Sequence, residues 1–280
     1  MIPSFRRSVA TRVVLLSMLA VATFAAPVLG SNHLRDATGF SGEATVVDVL
    51  VNNPLGGDPL LDLQLGEAGP LSPAGGSDED EILNANINQA PLTATASVIR
   101  ATTEGAGSTA QSVATIADLN LALTNLVAVT STTLESTATA QCVRRGATVS
   151  GDSVIEDLAI NGTTVTVTGA PNQMVDIGPI HLVINEQTEN VASDRTFGEI
   201  TVNALHITVT NPIGGAVLAE VILSSSHADV TCMPDGSTDG MLSATSGSTG
   251  TFSSQLPLAL LVLAAVAVSL LLARRSFAHR

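Results

Sequence analysis

Val154-Ile155-Glu156-Asp157-Leu158-Ala159-Ile160-Asn161-Gly162-Thr163-Thr164-Val165-Thr166-Val167-Thr168 decides the fold. Asn-Gly tolerates positive φ at both central positions of a type I′ turn, whose twist matches that of two antiparallel strands, so the stretch reads as a β-hairpin. A turn at Gly169-Ala170-Pro171-Asn172 follows, and then Ile180, Leu182 and Ile184 alternate with His181, Val183 and Asn185. That period of two marks a third strand with one buried face. Residues 200–209 are long and β-branched, but their apolar phase changes between Ala204 and Leu205, which predicts a bulge. Asn211-Pro212 and Gly214-Gly215 turn the chain into residues 216–223, and the segment closes on Ser224 to Cys232.

Upstream, residues 40–51, 61–65, 92–101 and 113–123 read as further strands, broken by Pro54, Gly56-Gly57, Gly66, Gly69-Pro70, Pro73 and Gly105 to Gly107. Many short strands with frequent turns and no helical period predict an all-β fold, an antiparallel sandwich over about 37–232. The alternative is a β-solenoid, against which stands the lack of a fixed repeat. Residues 136–142 and 226–232 each deliver a cysteine from a run of small residues, as two sheets tied together would.

Several phrases inside this region carry a resemblance. Leu158-Ala159-Ile160-Asn161-Gly162-Thr163, then Val183-Ile184-Asn185-Glu186-Gln187-Thr188, Ile200-Thr201-Val202-Asn203-Ala204-Leu205-His206 and Ser226-His227-Ala228-Asp229-Val230-Thr231-Cys232 resemble the choice-of-anchor P family of secreted prokaryotic surface proteins. The likeness spans about residues 40–232. It implies a surface location and this architecture, and brings no catalytic residues with it.

Cys142 and Cys232 are the only cysteines. In an exported chain such a pair is expected to close, with two buried thiols or a metal site as alternatives. Hydrophobic residues make up 45% of the chain but aromatic ones only 2%, with no Trp or Tyr, so the core must be thin and built of Val, Leu, Ile and Ala.

The ends predict export and anchoring. Arg6, Arg7 and Arg12 precede the apolar run 13–24 and small residues at 25–30, the form of a signal peptide over 1–30. Residues 233–255, rich in Gly, Ser and Thr, read as a stalk. Residues 256–273 are apolar except Ser269 and would span about 27 Å as a helix, near the thickness of a bilayer core. Arg274, Arg275 and Arg280 follow, which places a short basic tail in the cytoplasm and the rest of the chain outside.

The formal net charge is −14, and six of the eleven basic residues, all Arg, lie in the two terminal segments. Phosphate backbones are repelled by so acidic an exported part, which argues against nucleic acid as a partner. Without lysine there is no Schiff base, no phosphate-loop lysine and no Lys-Asn isopeptide bond. Gly151-Asp152-Ser153 resembles a hydrolase nucleophile block, yet lacks its α/β context and reads instead as a turn opening the hairpin. Asp78-Glu79-Asp80-Glu81 reads as a solvated surface loop and a weak calcium candidate. Asp235 to Gly240 opens like an EF-hand loop but has Ser246 where the bidentate Glu belongs.

The expectation is therefore a membrane-anchored cell-surface protein, structural or adhesive, meeting other surface proteins or matrix, without a cofactor and without catalysis. A ligand- or calcium-binding module is the alternative, and a secreted hydrolase a remote one.

Overall fold

The structure, a computed structural model, describes residues 35–123 and 126–233. The strands in chain order are β1 (Ala37–Val51), β2 (Leu61–Ala68), β3 (Gly76–Gln89), β4 (Leu92–Ala106), β5 (Thr109–Leu123), β6 (Val127–Val143), β7 (Gly146–Glu156), β8 (Ala159–Ile160), β9 (Thr163–Thr164), β10 (Gln173–Ile177), β11 (Ile180–Val191), β12 (Phe197–Thr210) and β13 (Val217–Cys232). Every pairing is antiparallel. One sheet runs β10-β11-β12-β13-β1-β2; the other runs β3-β4-β5-β6-β8-β9, with β7 also on β6. The two pack face to face as a sandwich, so the solenoid alternative falls.

A hairpin forms at Asn161-Gly162, but its arms β8 and β9 are two residues each, and residues 154–156, read as part of its first arm, belong to β7, which pairs with β6. Asn161 and Gly162 take φ of 51° and 75°, and Ile160 pairs with Thr163. Its second arm is shorter than expected, because strand pairing stops at Thr164. Beyond it the Gln173 side chain replaces the ladder: Thr168 N–H donates to Oε1 at 2.8 Å and Nε2 donates to the Thr166 carbonyl at 2.7 Å.

The phase change at Ala204 is real, but its cause is not a bulge. Asn203 pairs with Ser225 and Leu205 with Leu223, so no residue is inserted. Instead Ser224, with φ of 55°, stands opposite Ala204 in the left-handed region. Asn185 and Gly66 do the same in β11 and β2, and Asn84, Asp118 and Asp157 do so across the second sheet. Short polar side chains and glycine are the residues that tolerate that region. The alternation resets along a line, and Val46 with Val47, like Ala204 with Leu205, are both buried.

The disulfide closes between β6 of one sheet and β13 of the other, with Cα atoms 5.6 Å apart. Around it the interior is small: Ala110, Ala138, Ala140, Ala147 and Ala228 pack with Phe40, Ile200, Val202 and Val230. Buried Ser112, Ser136 and Ser226 add little volume. A Cβ on Gly151 would lie 2.4 Å from Val202 Cγ2, so the sheets approach closely there. The larger core, with Leu121, Ile116, Leu182, Ile184 and Ile207, fills the rest of the sandwich.

Candidate functional site

Alternation on β11, β12 and β13 points every second side chain of the first sheet away from the core. All three described histidines stand on that outer face, each against a carboxylate. His181 Nδ1 lies 2.6 Å from Asp176. His206 sits between Glu186, 2.9 Å from Nδ1, and Glu220, 2.8 Å from Nε2, which lashes β11, β12 and β13 together. Asn203 Nδ2 donates to the same Glu186 oxygen at 2.7 Å. His227 has Thr201 Oγ1 3.0 Å from Nδ1 and Asp229 3.4 Å from Nε2. The Asp229 carboxylate, helped by Glu199 and Glu43 on the neighbouring strands, holds this imidazole above its ordinary range despite partial burial.

Hydroxyl, imidazole and carboxylate thus stand in line at Thr201, His227 and Asp229. The order resembles that of a nucleophile, its base and an orienting acid. The trio lies on an open sheet face, however, and lines none of the described hollows. Its Thr201–His227 contact joins β12 to β13.

The largest described hollow, about 480 Å³, lies on the second sheet between Glu79, Arg100, Glu104 and Gln111. Here the acid run finds its place, and the loop expectation is corrected: residues 78–81 lie inside the edge strand β3. An edge strand leaves one row of backbone groups unpaired, and charged residues there block further pairing, while Ile82, Ala85 and Ile87 of β3 pack on the core. Glu79 bonds Arg100 at 2.8 Å and Glu81 lies 3.9 Å from the same guanidinium. Asp78, one step out of phase, accepts the Gly69 N–H at 2.9 Å. The four carboxylates are therefore not gathered round one point, and no group of three or more potential metal ligands occurs among the described residues.

Gly151-Asp152-Ser153 also differs from its sequence reading. It lies within β7, not in a turn, with Ser153 opposite Ser136. Gly151 is required by the closeness of Val202 and Ile200. Arg274, Arg275 and Arg280, the segments 1–30, 234–255 and 256–273, and the EF-hand-like Asp235 to Gly240 lie outside the described residues. Among the described residues no helix is long and apolar enough to cross a membrane.

The two ends of the sandwich differ in character. Ala37 pairs with Cys232, so the chain enters and leaves at the disulfide end. Arg35, Arg144, Arg145 and Arg195 cluster there too: Arg35 N–H bonds the Cys142 carbonyl, and Ala147 N–H bonds that of Arg195. The opposite end carries the loops β1–β2 and β12–β13, with Leu55, Leu60, Ile213 and Val217 exposed.

No family model, curated protein or solved structure matches the chain.

Proposed function

We propose that this is an exported, single-pass surface protein, a structural or adhesive display module without catalysis. In this reading 1–30 is a signal peptide, 233–255 a stalk, and 256–273 a membrane helix followed by the cytoplasmic Arg274, Arg275 and Arg280. The resemblance to the choice-of-anchor P family supports the same surface location.

The observation that carries it is the polarity of the sandwich. Entry, exit, disulfide and four of the five described arginines share one end. A polypeptide held by its tail from that end presents its far loops and its long sheet faces outward. Acidity elsewhere keeps the displayed part soluble. The disulfide suits an oxidising compartment.

Detergent-solubilised full chain, incubated with intact cells and with envelope fractions of its source, is expected to be retained saturably on one of them. Retention that rises linearly with concentration, or none at all, contradicts adhesion.

A further inference from the structure

The far end of the sandwich repeats a motif. Asn53-Pro54-Leu55-Gly56-Gly57 turns β1 toward β2, and Asn211-Pro212-Ile213-Gly214-Gly215 turns β12 toward β13. The two turns share a side-chain hydrogen bond and close their backbone on different glycines, the first of the pair in one and the second in the other. Asn53 Oδ1 accepts the Leu55 N–H at 3.0 Å, and Asn211 Oδ1 accepts the Ile213 N–H at 2.9 Å. Each asparagine carbonyl also closes on a glycine N–H at 3.0 Å, from Gly56 and Gly215. All four glycines take positive φ, from 70° to 104°.

Asparagine, proline and glycine are explained by the turn itself. The residue between proline and the glycines is not, because its side chain takes no part in the turn. At both apices it is a large aliphatic, Leu55 at 94% and Ile213 at 86% exposure. The loops are neighbours, since β1 pairs with β13 and Asn52 bonds the Leu218 and Val217 carbonyls. Two rigid, adjacent turns each hold an aliphatic side chain in water for no reason the fold supplies. Leu60 and Val217, also exposed, widen the patch.

We infer that the paired turns are a two-pronged docking tip for a protein whose apolar hollow is rimmed by basic residues. This rests on the display reading above, which turns the tip away from the anchored end. Charge selects the partner: Asp58 and Asp62 are the exposed charges of these loops and strand starts, Glu220 being bonded to His206, and every described arginine but Arg100 is at the other end. A second copy fits poorly, because two convex tips do not interlock and the described hollows are lined mainly by polar residues. Anionic lipid fits poorly too, since the tip has neither a basic nor an aromatic residue to meet it.

The test uses the full chain on intact cells of its source. Leu55→Ser and Ile213→Ser should each weaken saturable retention about tenfold, and together about a hundredfold, because each removes one buried aliphatic side chain from the contact. Melting should stay within about 1 °C of the parent, as both side chains are exposed. Met174→Ser, on an edge strand, should change neither. A photo-cross-linking residue at 55 or at 213 should capture the same foreign polypeptide, at peptides carrying Lys or Arg. Capture of a second copy only, of lipid only, of unrelated polypeptides from the two positions or of nothing overturns the inference. So does a double variant retained as well as the parent, which leaves adhesion standing; a parent that is not retained overturns the display reading as well.

Discussion

Gly151→Ala probes how closely the two sheets meet. The added methyl would lie 2.4 Å from Val202 Cγ2 and 2.8 Å from Ile200 Cδ1, where carbon atoms rest at about 3.5–4.0 Å. Val202 is fully buried and β-branched, with little rotamer freedom to retreat. Relief requires β7 and β12 to part by about 1 Å, and overpacking of this kind costs about 1–3 kcal/mol. Against it stands the reduced freedom of the unfolded chain, worth about 0.4–1 kcal/mol when alanine replaces glycine. The net expectation is a loss of about 1–2 kcal/mol, or about 2–8 °C in Tm for a domain of this size. Gly39→Ala is the control, since its Cβ would meet Thr231 at an ordinary 3.6 Å and should cost nothing. Urea unfolding monitored by far-UV circular dichroism compares the midpoints. A Gly151→Ala midpoint equal to that of Gly39→Ala would show slack between the sheets and refute the close approach.

Replacing Cys142 and Cys232 by serine together should cost about 4–5 kcal/mol, the loop entropy of a cross-link 90 residues long, read from urea midpoints with and without reductant. His227 binds its proton more tightly in the fold than in the unfolded chain. Its contribution is therefore complete below the ordinary imidazole value of about 6.5 and is lost as pH rises above it through the raised folded value. His227→Gln should flatten that alkaline decline in stability, and an unchanged decline would remove His227 as its source. Arg100→Gln should cost no more than about 1 kcal/mol by thermal melting, because its partners are exposed. Millimolar calcium should leave Tm within about 1 °C, since residues 78–81 do not converge on one point; a larger rise would restore a calcium site.

Local chemistry explains what the chain disclosed beforehand. Asn161-Gly162 admits positive φ at two successive positions, and the alternation of Ile180, Leu182 and Ile184 needs only one wet face. Cys142 and Cys232 had only each other, and they do bridge the two sheets. The doublet Ala204-Leu205 announced a reset of phase, but not its agent, because Ser224 lies on another strand. Strand β3 escaped notice for a different reason. Its Asp, Glu and Asn residues have low strand propensity, and only its place at the sheet edge makes them acceptable. Strand β6 was legible only in part, since Thr, Ser and Ala alternate without hydrophobic contrast. The histidine-carboxylate pairs join residues up to 20 apart in sequence, and finding them required the register. The outward phase of His181, alternating with Ile180 and Leu182, was the one hint available. The repeated Asn-Pro-aliphatic-Gly-Gly turns were visible as turns, whereas their adjacency comes from β1 lying beside β13.

The proposal places the sandwich outside the cell, closed by its Cys142–Cys232 disulfide. Asp58, exposed in the β1–β2 loop, can carry a reporter without the strain that a side chain would meet at Gly56, so intact cells carrying the full chain with Asp58→Cys are labelled with a membrane-impermeant maleimide. Labelling is expected at position 58 before lysis and none at Cys142 or Cys232. Labelling that waits for lysis, or native thiols that react without reductant, would contradict it.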